Sequence, residues 1–174
     1  MKFAASAVVA FLAAALVSGC GDSNEQSTVS PEAGVSGKVG NVDIRDLFVL
    51  GGNGTAEIPA GGSAPVYLTM TNRPAGGEPD PTGGTASAED DVLESVTSTD
   101  AKSVELIGGP VQLPVGQDVR VGPDARIVLR GLTEALESDA DVDLTLKFQK
   151  AGSVTLEAPV IQRKDSYQTY SPAP

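Results

Sequence analysis

Hydrophobic and polar positions alternate most regularly near the end of the chain. Val142, Leu144, Leu146 and Phe148 alternate with Asp143, Thr145, Lys147 and Gln149. After Ala151-Gly152-Ser153 the alternation resumes, with Val154, Leu156, Ala158 and Val160 set against Thr155, Glu157 and Pro159. Period-2 alternation on both sides of a glycine-containing turn predicts a β-hairpin with one buried face. Such a face requires a second sheet to cover it.

The same periodicity, more weakly, predicts strands elsewhere. Val42, Ile44, Phe48 and Leu50 share one parity, with Leu47 and Val49 on the other, which predicts a first strand bulged near Asp46. Ile58-Pro59-Ala60-Gly61-Gly62-Ser63 forms a turn into a strand where Val66, Leu68 and Met70 alternate with Tyr67, Thr69 and Thr71. Further strands are expected over Val92–Thr97, Ser103–Ile107 and Val119–Val121. Ala125–Leu132 is another, with Ile127 and Leu129 on one face and Arg126, Val128 and Arg130 on the opposite one. Thr133–Ala140 reads as a short helical turn. About seven to eight short strands separated by turn signals, with no long helix, predict an all-β sandwich.

The two ends differ in character from this middle. Lys2 is followed by an almost wholly apolar run to Val17, the length of a signal core and short for a membrane span. Leu16-Val17-Ser18-Gly19-Cys20 resembles a bacterial lipobox, so residues 1–19 are expected to be a lipoprotein signal peptide and Cys20 the lipidated residue. Residues 20–37 are polar and read as a flexible tether, 38–160 as the sandwich domain, and 161–174 as a polar tail. Arg73–Asp91 lacks periodicity and reads as a long loop.

Charge and composition then narrow the function. With 12 basic and 23 acidic side chains the net charge is −11, which argues against nucleic acid as a partner. Membrane attachment would come from acyl chains on Cys20, not from charge. A single cysteine leaves no internal disulfide, and there is no histidine or tryptophan. Without histidine or a free thiol, and with no serine in a nucleophile motif, catalysis lacks its usual groups; the expectation is no enzyme and no catalytic residues. Asp139-x-Asp141-x-Asp143 resembles the start of a calcium loop, but Leu144 and Lys150 stand where the glycine and the terminal acid belong. Glu89-Asp90-Asp91 reads as an exposed acidic loop. Arg120, Arg126 and Arg130 are candidates for an interaction surface that meets anions or carboxylates.

Several phrases resemble the periplasmic copper chaperone PCu(A)C family: VYLTMTN (Val66–Asn72), LESVTSTDAKSVEL (Leu93–Leu106), LPVGQDVRV (Leu113–Val121), IVLRGL (Ile127–Leu132) and LTLKFQKAGSVTLEAPV (Leu144–Val160). NVDIRDLFV (Asn41–Val49), with the lipobox and tether, resembles the actinobacterial lipoprotein branch of the LpqE type. The resemblance implies a cupredoxin-like or immunoglobulin-like β-sandwich. It also implies copper held by histidine and methionine. At the corresponding positions this chain carries Ile107, Arg126 and Val128, so no copper ligand carries over. Met70 shares the parity of Val66 and Leu68 and is expected in the core. The functional expectation is a non-enzymatic, lipid-anchored envelope protein that binds a partner, with no cofactor. The alternative is an extracytoplasmic copper chaperone or homeostasis protein using non-standard ligands, with copper implied by resemblance only. A passive surface lipoprotein is a third possibility.

Overall fold

The computed structural model describes residues 34–53, 57–73, 89–122, 124, 126–138 and 140–174. The signal peptide, Cys20, most of the tether, residues 74–88 of the long loop and Asp139 lie outside the described residues. Ten strands follow one another: β1 (Val35–Val39), β2 (Val42–Asn53), β3 (Ser63–Asn72), β4 (Asp91–Ser98), β5 (Ala101–Leu106), β6 (Val111–Leu113), β7 (Asp118–Val121), β8 (Ile127–Leu132), β9 (Asp141–Phe148) and β10 (Gly152–Arg163). A 3-10 helix over Asp165–Thr169 ends the ordered elements. Relative to the alternation, β1 and β6 are the additions. Among the described residues no helix is long and apolar enough to cross a membrane.

The β9–β10 hairpin has the expected register, with Leu146 opposite Val154, Leu144 opposite Leu156 and Val142 opposite Ala158. Its loop is Gln149–Ala151, two residues ahead of the sequence expectation, and Gly152 opens β10 at φ +100. The reason is remote. The Asp91 carboxylate accepts hydrogen bonds from the main-chain nitrogens of Lys150 and Ala151, both at 2.9 Å, and so fixes where the chain reverses.

Past Pro159, β10 leaves β9 and pairs in parallel with β2, Val160 opposite Val49 and Ile161 opposite Leu50. One strand therefore serves both halves of the fold. The strands form a single sheet in the order β5-β8-β3-β2-β10-β9-β4-β6, with β1 on β2 and β7 on β3. It curls on itself, and the inner face encloses a mainly aliphatic core that includes Ile44, Leu47, Val66, Met70, Leu93, Ile127, Leu129, Leu144, Leu146 and Phe148.

Three expectations need correction. First, the bulge is present, with Asp46 at φ +53 and a register break between Arg45 and Phe48, but it inverts the alternation. Val42, Ile44, Leu47 and Val49 face the inner core, whereas Phe48 and Leu50 face outward into a second cluster. One extra residue moves every later side chain to the other face. Second, the fold begins before residue 38. β1 pairs with β2, and Val35 and Val39 pack on the core. Gly37 permits this approach, because a Cβ there would sit 2.7 Å from a Leu156 methyl. Third, the described part of Thr133–Ala140 contains no helix. Buried Leu136 bridges to Ile58, its nitrogen donating to the Ile58 carbonyl at 2.8 Å.

Candidate functional site

The outer face of the sheet carries the residues singled out from sequence. β8 and β7 pair one after the other along the same edge of β3. Arg130 lies opposite Ser63, Val128 opposite Pro65, and Arg120 opposite Thr69. Arg126, one residue ahead of β8, continues the parity of Val128 and Arg130. Side chains two apart share a face, so these residues lie on the side where Tyr67 points outward. Arg130 is remote from Arg120 along β3, since six residues separate their partners, roughly 20 Å.

The arginines have different company. Arg130 is paired with Glu105 at 2.9 Å and donates to the main-chain oxygen of Pro174. Arg120 and Arg126 have no carboxylate within ion-pair distance among the described residues. The Arg126 carbonyl accepts from the Ile107 nitrogen at 2.7 Å, which places these two residues side by side. The three arginines thus share a face without forming one cluster.

Between them the face is apolar and covered. Phe48, Leu50, Tyr67 and Val128 form a buried cluster with Tyr167, and Ile107, Ile161, Tyr170 and Ala173 pack against it. Residues 161–174 are therefore not a free polar tail. β10 runs on to Arg163, and the following segment lies over the outer face. Ring packing holds it there: Phe48 stacks on Tyr67 with centroids 5.3 Å apart, Tyr167 meets Phe48 edge-on at 5.1 Å, and Tyr170 meets Tyr67 edge-on at 4.8 Å. Hydrogen bonds add to the ring contacts. The Tyr67 hydroxyl donates to the Ser171 carbonyl at 2.6 Å, and Arg163 donates to the carbonyls of Tyr170 and Gln168, both at 3.2 Å. The pattern Tyr167-x-x-Tyr170, two large rings in an otherwise polar run, was the available signal for this docking.

The residues that the resemblance implies as copper ligands can now be placed. Val128 is fully buried in the outer cluster and Ile107 packs against it. Neither carries a lone pair, and the guanidinium of Arg126 has donors only. Met70 is fully buried in the inner core, on the opposite side of the sheet. Copper favours thiolate, thioether or imidazole, and this set of side chains does not fit it. Among the described residues no group of three or more His, Cys, Asp or Glu side chains could hold a metal ion.

The acidic triplet is not an exposed loop throughout. Asp91 is only 3 % exposed, and its carboxylate accepts from the nitrogens of Val92, Lys150 and Ala151. The Asp90 carboxylate accepts from the Val115 nitrogen at 3.0 Å. Glu89 pairs with Lys150 at 2.8 Å, and that hydrogen bond and charge hold its carboxyl below the usual range. The triplet fastens β4 to the hairpin loop and to the turn before β7. In the calcium-like stretch, Asp141 and Asp143 lie in β9, where Asp143 stands opposite Glu157. On β7, Asp118 accepts from the Thr71 hydroxyl and from Arg45; the Thr71 hydrogen bond first, and then the charges of Arg45 and Arg120, lower its pKa.

A cavity of about 500 Å³ opens where β2, β3, β7 and the 3-10 helix meet. Phe48, Tyr67, Tyr167 and Tyr170 line it, together with Arg120, Thr69 and Asp46.

Comparison with known proteins agrees with this architecture. The family model described as LpqE-like lipoprotein matches residues 42–160. The structure is similar to the copper-bound PCuAC domain from PmoF2, with TM-score 0.56 and 22% identity over 74% of this chain and 98% of that one. It is also similar to the apo PCuAC domain from PmoF1, with TM-score 0.58 and 20% identity over 74% of this chain and 99% of that one. No curated protein sequence matches the chain.

Proposed function

The chain belongs to the LpqE-like lipoprotein family, and on that premise we propose that it is a lipid-anchored, extracytoplasmic binding module. It keeps the copper-chaperone-like sandwich and works without the His/Met copper site. One observation carries this reading. Ile107 and Val128, which stand where the resemblance implies ligands, are packing residues of an apolar cluster under Tyr167 and Tyr170. Burying alkyl groups against rings stabilises the fold and leaves no coordinating atom there.

The reading is non-enzymatic, since the described face offers arginines, tyrosine hydroxyls and the carboxylates of Asp46, Glu105 and Asp118 but neither imidazole nor thiol. Contact with an envelope protein would use Arg126 and Arg130 at the margin of the covered face, where guanidinium groups suit carboxylates. The anchor would be Cys20, and the membrane a partner only through its lipid. Copper handling by other ligands is the contrasting reading, supported by the copper bound in the similar PCuAC domain from PmoF2.

A competition titration separates the two. The full chain is titrated with Cu(I) and Cu(II) against a chelator of known affinity. The expected result is no complex that competes with the chelator. A stoichiometric complex that survives competition would overturn the proposal and redirect attention to the carboxylates of Glu89, Asp90 and Asp46.

A further inference from the structure

The segment that covers the outer face is itself built like a bound peptide. Ser171 and Ala173 each precede a proline, and both restrictions hold Tyr170–Pro174 extended. Tyr170 has φ −76 and ψ 137, the polyproline II geometry. That helix has about three residues per turn and no internal hydrogen bonds. Tyr170 and Ala173, three apart, accordingly pack together on the outer cluster, while Pro172 and Pro174 stay exposed. The carbonyls that such a backbone leaves free are met by side chains of the face. Arg163 donates to the Tyr170 carbonyl at 3.2 Å, the Tyr67 hydroxyl to that of Ser171 at 2.6 Å, and Arg130 to the Pro174 oxygen at 2.5 Å. Folded domains recognise proline-bearing extended segments on aromatic-lined grooves of this kind. The attachment is also local. Among the described residues no strand pairing holds the chain after Arg163, and Asp165 sits at φ +50, a left-handed backbone that costs energy in a residue with a side chain. The family match ends at residue 160, so this cover lies outside the shared domain.

We infer that the face under residues 164–174 is a groove for an extended segment of a partner protein, and that these residues occupy it in cis as an internal competitor. The partner segment carries a tyrosine, a small apolar residue three positions later and proline between them. Phe48 and Tyr67 are buried because Tyr167 and Tyr170 sit on them, so they become a seat only as the cis segment leaves. A partner therefore binds with an apparent affinity reduced by the fraction of chains that are open. The inference deepens the binding-module reading by naming the chemistry of its partner. A stable copper complex would overturn the metal-free reading and leave the groove in place. A groove that takes no peptide would leave the metal-free reading standing.

The chain supplies its own probe, a fluorescently labelled peptide of residues 164–174. The full chain carrying Tyr167→Ala and Tyr170→Ala lacks the cis rings and presents the groove open. The peptide is expected to bind it saturably, about tenfold or more tighter than it binds the unsubstituted chain, where the cis segment competes at high effective concentration. Binding should also return the near-UV tyrosine signal that the two substitutions remove. Adding Tyr67→Phe to the open chain deletes the donor to the Ser171 carbonyl and is expected to weaken the peptide by roughly two- to tenfold. A scrambled peptide of the same composition is expected not to compete. No saturable binding to the open chain, equal affinity for the two chains, indifference to Tyr67→Phe or equal binding of the scrambled peptide would each overturn the inference. If the open chain loses its far-UV spectrum, the unsubstituted chain decides. Excess peptide should then move the NMR signals of Tyr170 and Ala173 to those of a free segment, and signals that stay in place would overturn the inference.

Discussion

β2 and β3 each take part in two hydrophobic clusters whose members alternate along the same strands. Val49 and Leu68 point into the inner core, while their neighbours Phe48, Leu50 and Tyr67 point out. The inner cluster is mainly aliphatic and closed by the curl of the sheet, so strands from the whole domain enclose it. The outer cluster is aromatic and closed by one short segment after Arg163, fastened through rings and a few hydrogen bonds. A cover made of many strands opens only with global unfolding, whereas a short cover with few anchors opens locally. The inner cluster therefore defines the fold. The outer one is the part that a local opening would expose, and it is the face that the proposed function concerns.

The largest effect expected from this contrast is in the inner core. Leu146→Ala removes a side chain that is 1% exposed and packed between the two halves. It should lower stability by about 2–5 kcal/mol, the usual range for a buried leucine. Urea unfolding followed by far-UV circular dichroism measures it. A loss below about 1 kcal/mol would mean that the inner core tolerates the cavity and is not the tighter of the two.

A smaller effect of a different kind is expected outside. Tyr167→Ala removes the ring that meets Phe48 edge-on and leaves the inner core intact. The expected cost is about 1–3 kcal/mol. The near-UV tyrosine signal should diminish while the far-UV spectrum stays as it was. Binding of a hydrophobic dye should rise as Phe48 and Leu50 become accessible. If the far-UV spectrum collapsed along with the near-UV signal, the two clusters would be one cooperative unit and the contrast would fail.

The two regions were unequally legible in the sequence. The hairpin, most strand positions and the place of Met70 followed from period-2 alternation, because the curl gives those strands one buried face. Phe48 and Leu50 were assigned to the face of Val42 and Ile44, because the bulge at Asp46 changes parity and alternation cannot show by how much. β3 and β8 are buried on both faces, since the C-terminal segment covers Tyr67 and Val128. That cover is a long-range contact between residues about a hundred positions apart, beyond the reach of any local pattern. Asp91 was read as part of an exposed acidic loop for the same reason, since its partners at Lys150 and Ala151 are distant in sequence. The arginines were identified by residue type. Their separation into a paired Arg130 and a cavity-lining Arg120 depends on β7 and β8 sharing one edge of β3.

The smallest effect sharpens the contrast by pH. Asp118 lies on the outer face of β7, and its pKa is lowered from the usual 3.8 by the Thr71 hydrogen bond, with help from Arg45 and Arg120. A carboxyl with a lowered folded pKa stabilises the native state at pH values above its unfolded pKa. That contribution is lost as pH falls through the folded value, so stability declines with acidification below about pH 4. The group is fully exposed, so solvent screening keeps the contribution small. In Asp118→Asn the titrating group is gone. The melting temperature of the substituted chain should lie slightly below that of the original at about pH 6, and the gap should close on approaching about pH 3. A gap that stayed constant across that range would show that Asp118 acts through shape and not through its charge.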